Sequence, residues 1–262
     1  MGNDMGNDMG DAMDNESSGD MHGKRVLVVG ASSGIGAAVA RGAARRGARV
    51  AVCGRRVERL EELSAVDPAI FALCGDVRDE ASIRSVVARA AEAFGGLDAV
   101  VYAVGVSPLK SLAEATQDDW RAVLDSNLIG AALVSAASAP HLIASGGRLL
   151  LLSSKSVRRP FPDLSLYATS KIALDGLIRC LPGEFPGLRV CRIVVGNTLG
   201  TEFATGWNEA DLSAAVERWA ASGVLGESDG GGLMEPEHVA DTILHVLVSP
   251  AHLDDVAVLD HG

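Results

Sequence analysis

Cysteine and aromatic side chains are scarce in this chain of 262 residues. It contains 4 cysteines, with no CxxC pair and no His/Cys cluster, and they stand singly at Cys53, Cys74, Cys180 and Cys191. Neither a disulfide framework nor a metal site is expected, and we interpret the cysteines as small core residues in a reducing compartment. Aromatic residues make up only 4% of the chain and hydrophobic residues 48%. This profile is typical of helices packed on a sheet of branched aliphatic side chains.

Excess positive charge and long apolar runs are also lacking. The net charge is −11, and the first 22 residues carry six acidic side chains without a Lys or Arg. The rest of the chain has no basic stripe, which argues against nucleic-acid binding. No apolar run of membrane-spanning length is evident, and the polar N-terminus lacks the hydrophobic segment of a signal peptide. We therefore expect no membrane partner and a cytoplasmic location.

Residues 1–22 differ from the rest of the chain. The segment begins with repeats of Met-Gly-Asn-Asp and is polar, acidic and glycine-rich. Because it has no hydrophobic face to bury, we predict that it is disordered. An alternative is that translation begins at Met13 or Met21. From residue 23 to 262 no linker-like boundary interrupts the sequence, and we predict one domain.

Short β-branched runs alternate with alanine-rich helical patterns after Lys24. The predicted strands span 25–29, 49–53, 70–73, 99–103, 148–153, 189–195 and 256–259. Helical patterns lie near 34–46, 56–64, 79–94, 116–144, 166–181, 203–221 and 236–248. Parallel strands need crossover connections, which helices supply, so the alternation predicts an α/β fold. We expect a Rossmann-type, doubly wound parallel sheet of about seven strands with helices on both faces.

A glycine-rich turn follows the first predicted strand and opens the first predicted helix. It reads Gly30-Ala-Ser-Ser-Gly34-Ile-Gly36. Gly30 permits a tight turn, Gly34 lets the backbone approach a pyrophosphate, and Gly36 permits close helix–strand packing. The helix N-terminus adds free N–H groups and the positive end of its dipole. The position of these glycines between strand and helix predicts a dinucleotide-binding site.

Tyr167 and Lys171 stand four residues apart in a predicted helix, so the phenol and the ammonium share a face. A free tyrosine has a pKa near ~10, too high for an efficient base at neutral pH. The neighbouring ammonium favours the phenolate, and we expect it to lower the pKa of Tyr167. The spacing by itself is common by chance, and the alternative is a half-buried packing tyrosine.

Ser154 lies thirteen residues before Tyr167, and Asn127 lies within a long helical pattern. With the GxxxGxG turn and the YxxxK spacing, these residues resemble the short-chain dehydrogenase/reductase family over residues 24–262. The resemblance implies a catalytic set of Asn127, Ser154, Tyr167 and Lys171. In this scheme Ser154 hydrogen-bonds a carbonyl oxygen and Tyr167 exchanges the proton. Lys171 tunes the tyrosine and grips the nicotinamide ribose, while Asn127 holds a water near the lysine.

Arg55 and Arg56 end the second predicted strand, where an acidic residue would select NAD. Guanidinium groups suit a 2′-phosphate, so we predict NADP(H) over NAD(H). The alternative is that one arginine opens the next helix and pairs with Glu58 or Glu61. The cofactor contacts implied by the pattern and the resemblance are Gly30, Ser32, Ser33, Gly34, Ile35, Gly36, Arg55, Arg56, Asp76, Val77, Ala103, Gly105, Tyr167, Lys171, Gly196 and Thr198.

Several of these positions depart from the family pattern or allow a second interpretation. Tyr102-Ala-Val-Gly105 stands where the family has Asn-Asn-Ala-Gly, whose asparagines brace the sheet. Val195-Gly196 replaces Pro-Gly, so Thr198 and Thr201 are both candidates to contact the nicotinamide amide. Asp76 matches an adenine-contacting residue but equally suits a turn or a helix N-cap. Pro182 is expected to end the Tyr167 helix early.

Residues 198–233 are predicted to form a substrate lid. Their apolar side chains suggest a partly hydrophobic ligand, although the same spacing suits an amphipathic lid helix that packs down, which we favour. The side chains are Phe203, Trp207, Leu212, Val216, Trp219 and Leu225. The glycines at 230–232 are a candidate hinge. Nearby, Lys155, Arg158 and Arg159 either orient an acidic substrate or remain solvated.

The resemblance predicts an NADP(H)-dependent oxidoreductase that interconverts a ketone or aldehyde with an alcohol, with Tyr167 as acid and base. A small carbonyl compound or alcohol is the expected partner, and the C-terminal strand is of the kind that joins a homodimer or homotetramer in this family. Two alternatives stay open: an epimerase or dehydratase with transient redox chemistry, and a cofactor-sensing protein without catalysis. The single-domain length argues against the first, and the complete catalytic set argues against the second.

Overall fold

The computed structural model describes residues 20–200, 203, 206–224 and 232–259. Its strands are β1 (Arg25–Val29), β2 (Arg49–Gly54), β3 (Ile70–Cys74), β4 (Ala99–Tyr102), β5 (Arg148–Ser154), β6 (Arg189–Val195) and β7 (Asp255–Val258). Its helices are α1 (Gly34–Arg45), α2 (Val57–Val66), α3 (Glu80–Phe94), α4 (Gln117–Leu124), α5 (Gly130–Ser145), α6 (Ser165–Glu184), α7 (Glu209–Ala221) and α8 (Pro236–Val248). A π-helical turn at Asp125–Ile129 joins α4 to α5.

The strands form one sheet in the order β3-β2-β1-β4-β5-β6-β7, and every neighbouring pair is parallel. The chain winds outward from β1 to β3, returns to the centre at β4 and winds outward on the other side. The predicted doubly wound sheet is thereby confirmed. The reversal of direction between β1 and β4 opens a crevice at the carboxyl ends of these strands, where ligands bind in folds of this kind.

Helices cover both faces of the sheet. Helices α1, α2 and α8 contribute to one buried cluster, and α3, α5 and α6 contribute to the other. Successive strand residues point to opposite faces, so Val26 and Val28 belong to the first cluster while Leu27 and Val29 belong to the second. The central strands β4 and β5 are buried along their whole length, which explains why they read as continuous apolar runs.

The strand bounds agree with the predicted ones to within one residue, whereas three helical predictions need correction. The pattern at 116–144 is one helical segment interrupted by the π-turn. The helix predicted for 203–221 begins at Glu209, because the Asn208 side chain caps it by accepting from the Asp211 N–H. Pro182 does not end α6, which continues to Glu184, so the loss of the one N–H that proline lacks is tolerated in the last turn.

The chain is already packed at Met21, which is 1% exposed and donates its N–H to the carbonyl of Arg46. The boundary predicted for the disordered tail, at residue 22, therefore lies too far along the chain; residues 1–19 are outside the described part. The cysteine prediction is half correct. Cys53 and Cys191 are buried, but Cys74 and Cys180 are exposed and are not core residues.

One helical segment, Gln117–Ser145, has the length and mean hydropathy of a membrane-spanning helix, although no such run was expected from the sequence. Length and composition alone are weak indicators, because core helices of globular proteins meet the same criteria. In this fold the segment packs against α3 and α6 and against the sheet.

Candidate active site

A cavity of about 1810 Å³ opens at the carboxyl ends of the central strands. Its walls come from the glycine-rich turn after β1, the ends of β2 to β6, the start of α6 and the segment around α7. All the predicted site residues except Gly36 and Asn127 line it. The topology thus gathers residues from most of the chain into one place, as expected at the point where a doubly wound sheet reverses.

The glycine-rich turn forms a cradle that side chains would block. Gly30 has φ +88°, and a Cβ there would lie 2.9 Å from Val104 Cγ2. A Cβ on Gly36 would lie 2.2 Å from the Gly30 carbonyl oxygen, so only glycine lets α1 begin this close to the turn. Ser32, Ser33, Gly34 and Ile35 line the cavity at the N-terminus of α1. The arrangement fits a pyrophosphate held by backbone N–H groups and the helix dipole.

The two arginines after β2 have different surroundings. Arg56 donates to Ser32 Oγ at 2.6 Å and to Ser33 Oγ at 3.3 Å, which ties it to the glycine-rich turn. Arg55 lines the same end of the cavity and is exposed, and within the described residues its guanidinium makes no hydrogen bond or ion pair. One fixed and one available guanidinium at this end fit the phosphate of an adenosine 2′-phosphate.

Asp76 and Val77 border the same region. Asp76 accepts the Arg78 N–H at 3.0 Å and pairs with the Arg78 guanidinium at 2.6 Å. Hydrogen bonds from Arg78 hold the pKa of Asp76 below its ordinary value. Asp76 therefore forms a turn, as one interpretation proposed, but it is not the N-cap of α3: Asp79 is, accepting from the N–H groups of Ala81 and Ser82.

The end of β4 shows what replaces the missing asparagines. Tyr102 is fully buried, and its hydroxyl donates a short hydrogen bond to the Ser126 carbonyl in the π-turn. A Cβ on Gly130 would lie 2.6 Å from this hydroxyl oxygen, so the glycine makes room for the tyrosine. Ala103 and Gly105 follow on the cavity wall. Tyr102 thus braces the helical segment against the sheet, a role that the sequence did not reveal.

Asn127, at the centre of the π-turn, is completely buried. Its Oδ1 accepts the Val106 N–H at 2.9 Å, and its Nδ2 donates to the Val106 carbonyl at 3.0 Å and to Ser170 Oγ at 2.9 Å. Both N–H groups of the amide and one lone pair of its oxygen thus fix the loop after β4 to α6. The role implied by the resemblance, holding a water near Lys171, stays a prediction.

Ser154 and Tyr167 meet at the end of β5. A hydrogen bond between the two side chains acts to lower the pKa of Tyr167, but burial outweighs it and raises that pKa to about 12. Ser154 Oγ also accepts from the Ser156 hydroxyl at 3.0 Å and from the Ser156 N–H at 3.2 Å. The expected lowering of the tyrosine pKa is thus wrong, because desolvation of the phenol dominates.

Lys171 lies one helical turn after Tyr167 and is 2% exposed. Its ammonium donates to the Leu152 carbonyl at 2.8 Å and to the Val104 carbonyl at 3.3 Å, and it stands 5.7 Å from the centre of the Tyr167 ring. Burial lowers the pKa of Lys171 to about 8, against an opposing effect from the negative charge of Asp175. The lysine is therefore near the midpoint of its titration close to physiological pH.

Asp175 is a site-associated residue that was not singled out from the sequence, although it continues the four-residue spacing of Tyr167 and Lys171. It is buried, accepts from Ser153 Oγ at 2.6 Å and pairs with Arg192 at 2.8 Å. Arg192 in turn pairs with Asp255 of β7 at 2.8 Å. A chain of alternating charges therefore runs from Lys171 through the helix and β6 to the edge of the sheet.

The prediction of a substrate lid can be checked only in part, because Thr201, Leu225 and the glycines at 230 and 231 lie outside the described residues. Thr198 pairs with Met234 in an isolated bridge, and its hydroxyl donates to the Gly196 carbonyl at 3.3 Å. The cavity wall includes four aromatic residues from this region and its surroundings: Phe161, Phe203, Trp207 and Trp219. Among the described residues no group of three His, Cys, Asp or Glu side chains is placed to hold a metal ion.

The chain matches the family described as short chain dehydrogenase over residues 24–212. It is 34% identical to a glycine betaine reductase of Emericella nidulans over 242 residues, which is 90% of this chain but 18% of the relative. It is also 34% identical to a hydroxynaphthalene reductase of Aspergillus fumigatus over 178 residues, covering 66% of this chain and 64% of the relative. This chain therefore spans less than two thirds of the length of either relative.

Among solved structures, a short-chain dehydrogenase from Burkholderia cenocepacia in complex with NADP is 32% identical, with a TM-score of 0.76. The match covers 92% of this chain and 98% of the other. The shared sheet, the glycine cradle after β1 and the family match over most of the described residues agree with one another, and the chain belongs to the short-chain dehydrogenase family of oxidoreductases.

Proposed function

We propose that the protein is an NADP(H)-dependent carbonyl reductase that converts a ketone or aldehyde into an alcohol, with Tyr167 as the proton donor. The observation that carries this proposal is the meeting of Ser154, Tyr167 and Lys171 on one wall of a cavity whose other end holds the glycine cradle and Arg55. A dinucleotide lying along the cavity would place its nicotinamide beside the tyrosine and its adenosine beside the arginine.

Each residue has a distinct task in this reaction. Bound NADPH supplies the hydride that reduces the carbonyl carbon. The Ser154 hydroxyl donates a hydrogen bond to the carbonyl oxygen, where negative charge develops in the transition state. The Tyr167 hydroxyl then delivers its proton to that oxygen, completing the alcohol. Lys171, held by two backbone carbonyls, fixes a positive charge beside the phenol and stabilises the tyrosinate that remains.

The pKa of Tyr167 fits the role of a proton donor. Because burial raises it to about 12, the phenol is protonated throughout the physiological range. A protonated phenol is ready to act as an acid, whereas alcohol oxidation would require its deprotonated form. The oxyanion that forms on the substrate is a stronger base than a ketone oxygen, so proton transfer becomes favourable as the hydride arrives.

Arg55 supports the choice of NADP(H). Its guanidinium is exposed at the adenosine end, where it interacts electrostatically with Asp76 but forms no hydrogen bond or ion pair among the described residues, so it is available to bind a phosphate. The structural relative from Burkholderia cenocepacia was crystallised with NADP. The names of the two sequence relatives concern a quaternary ammonium compound and an aromatic bicycle, so similarity supports the reaction class and leaves the substrate open.

The proposal is tested by titrating the purified protein with NADPH and NADH, followed by the fluorescence of the reduced nicotinamide, and then by measuring turnover of a panel of carbonyl compounds. We expect at least about tenfold tighter binding of NADPH and a carbonyl-dependent oxidation of it. Tyr167→Phe should lower kcat by about 10²- to 10⁴-fold while leaving NADPH binding in place. Binding of NADPH without turnover of any carbonyl would instead indicate a cofactor-sensing protein.

A further inference from the structure

The few aromatic side chains of this protein are concentrated at the substrate end of the cavity. The chain has 3 Trp, 2 Tyr and 5 Phe, and five of these line that end: Phe161, Tyr167, Phe203, Trp207 and Trp219. Phe203 contacts both Tyr167, with ring centres 4.5 Å apart, and Trp207, with ring centres 5.3 Å apart. The catalytic phenol therefore belongs to an aromatic cluster with Phe203 and Trp207, and Phe161 and Trp219 form a second pair with ring centres 5.3 Å apart. We call these five residues the aromatic wall.

The indole N–H groups of this wall are already used within the protein. The indole N–H of Trp207 donates to the Ser107 carbonyl at 2.9 Å, and that of Trp219 donates to the Pro162 carbonyl at 2.7 Å. Both indoles are therefore held in fixed orientations and present carbon rather than a free donor to a ligand. A substrate rich in hydroxyl groups would find no partner on these rings and would lose its hydration without compensation.

Four charged side chains around the aromatic wall form ion pairs. Lys110 pairs with Asp119 at 2.8 Å, and Arg218 pairs with Asp163 at 2.7 Å. A cation is also already present, since Lys155 Nζ lies 5.8 Å from the centre of the Phe161 ring. An anionic substrate would have to compete with Asp119 and Asp163 for Lys110 and Arg218.

From these contacts we propose that the substrate is a ketone whose carbonyl-bearing ring is fused to a flat aromatic ring. The carbonyl lies at Ser154 and Tyr167, and the second ring packs against Phe203 and Trp207. Aromatic rings prefer offset or edge-to-face contacts with one another, which the tilted arrangement of this wall offers. The inference rests on the reductase function proposed above and assigns its substrate class.

Two ketones that differ by one fused ring test the assignment. Cyclohexanone and 2-tetralone share the reacting ring, and only the second carries a fused benzene ring. We expect kcat/KM with NADPH to be at least about tenfold higher for 2-tetralone, because burying the extra ring removes apolar surface from water. Dihydroxyacetone and trimethylammonioacetaldehyde serve as the polar and the cationic members of the panel.

Substitutions in the aromatic wall test whether its residues cause the preference for 2-tetralone. Trp207→Leu and Phe203→Leu should each lower the ratio of kcat/KM for 2-tetralone to that for cyclohexanone by about fivefold or more. Trp120→Leu is the matched control, since Trp120 lies on α4 and does not line the cavity, and it should leave the ratio unchanged. NADPH binding measured on every variant shows that the fold and the cofactor site are intact.

The possible results distinguish a wrong substrate class from a wrong reaction. Equal kcat/KM for the two cyclic ketones, or a preference for the polar or cationic compound, would overturn the aromatic assignment and leave the reductase function standing. A tetralone preference that persists in both wall variants would overturn the role of Phe203 and Trp207. Turnover of no carbonyl compound by NADPH-bound protein would overturn the proposed function, and the substrate assignment with it.

Discussion

The phenol of Tyr167 and the ammonium of Lys171 have their pKa values moved in opposite directions by the same burial. The pKa of the phenol rises to about 12, and that of the ammonium falls to about 8. Both shifts disfavour the charged form, as removal from water does. Tyr167, the proton donor of the proposed reaction, therefore stays protonated across the physiological range, whereas Lys171 does not keep its full charge there. The lysine is the group whose titration should be visible in the rate.

This difference predicts the pH dependence of reduction. Lys171 is charged below about pH 8 and neutral above it, so kcat for NADPH-driven reduction should fall as the pH rises through that value. Asp175 opposes this loss of charge, and Asp175→Asn should therefore move the descending limb to lower pH. Single-turnover rates between pH 6 and 10 provide the measurement. An identical limb in both proteins would show that Asp175 has only a structural role.

Arg55 carries the residue-scale prediction for the cofactor. Arg55→Ser should weaken NADPH binding by roughly tenfold, because a charge-assisted hydrogen bond to the 2′-phosphate is lost. NADH lacks that phosphate, so its affinity should not change. Fluorescence titration with both nucleotides makes the comparison within one variant. Equal losses for NADPH and NADH would mean that Arg55 supports the fold of the adenosine end rather than the phosphate.

At the scale of secondary-structure elements, the π-turn between α4 and α5 depends on two complementary residues. The Tyr102 hydroxyl donates to the Ser126 carbonyl, and Gly130 leaves the space that the hydroxyl occupies. This π-turn also positions Asn127, whose amide fixes Val106 on the cavity wall. A contact between β4 and a helical segment thus shapes the site without touching a ligand.

This complementarity predicts non-additive stability changes. Tyr102→Phe should lower the free energy of unfolding by about 1–3 kcal/mol, because a buried carbonyl loses its donor. Gly130→Ala should cost about 1–3 kcal/mol, because its Cβ meets the hydroxyl and Val77. The double variant should lose less than the sum, since removing the hydroxyl makes room for the methyl group. Urea unfolding of the three variants gives the coupling energy.

Gly176→Ala provides the control for the helix propensity of alanine. Gly176 lies in α6, and a Cβ there would meet nothing within 4 Å. The substitution should stabilise the protein by up to about 1 kcal/mol. A similar gain for Gly130→Ala would contradict the proposed fit of Tyr102.

At the scale of the whole molecule, one cavity collects residues from β1 through α7, so cofactor binding should stabilise most of the fold together. At an NADPH concentration about 100-fold above Kd, linkage adds about 2.7 kcal/mol to the free energy of unfolding. For a domain of this size we expect Tm to rise by roughly 5–10 °C. Differential scanning calorimetry with and without NADPH checks this, and two separate transitions would contradict a single cooperative unit.

Strand positions, the parallel sheet and the cofactor end follow from local patterns in the sequence. These patterns are β-branched runs, intervening helical periods and glycines between a strand and a helix. Each depends on residues close together in the chain and can therefore be recognised from the sequence alone. The spacing of Tyr167 and Lys171 is of the same kind, because i and i+4 share a helix face wherever the helix lies.

Other features were decided only when distant segments packed together. The spacing of Tyr167 and Lys171 predicts a lowered phenol pKa, yet burial raises it, because desolvation depends on everything that surrounds the phenol. The pairing of Tyr102 with Ser126 and of Asp175 with Arg192 joins residues from different elements. Local sequence patterns determine which elements form and which residues share a face. Burial, and the partners that burial brings within hydrogen-bonding distance, belong to the tertiary structure.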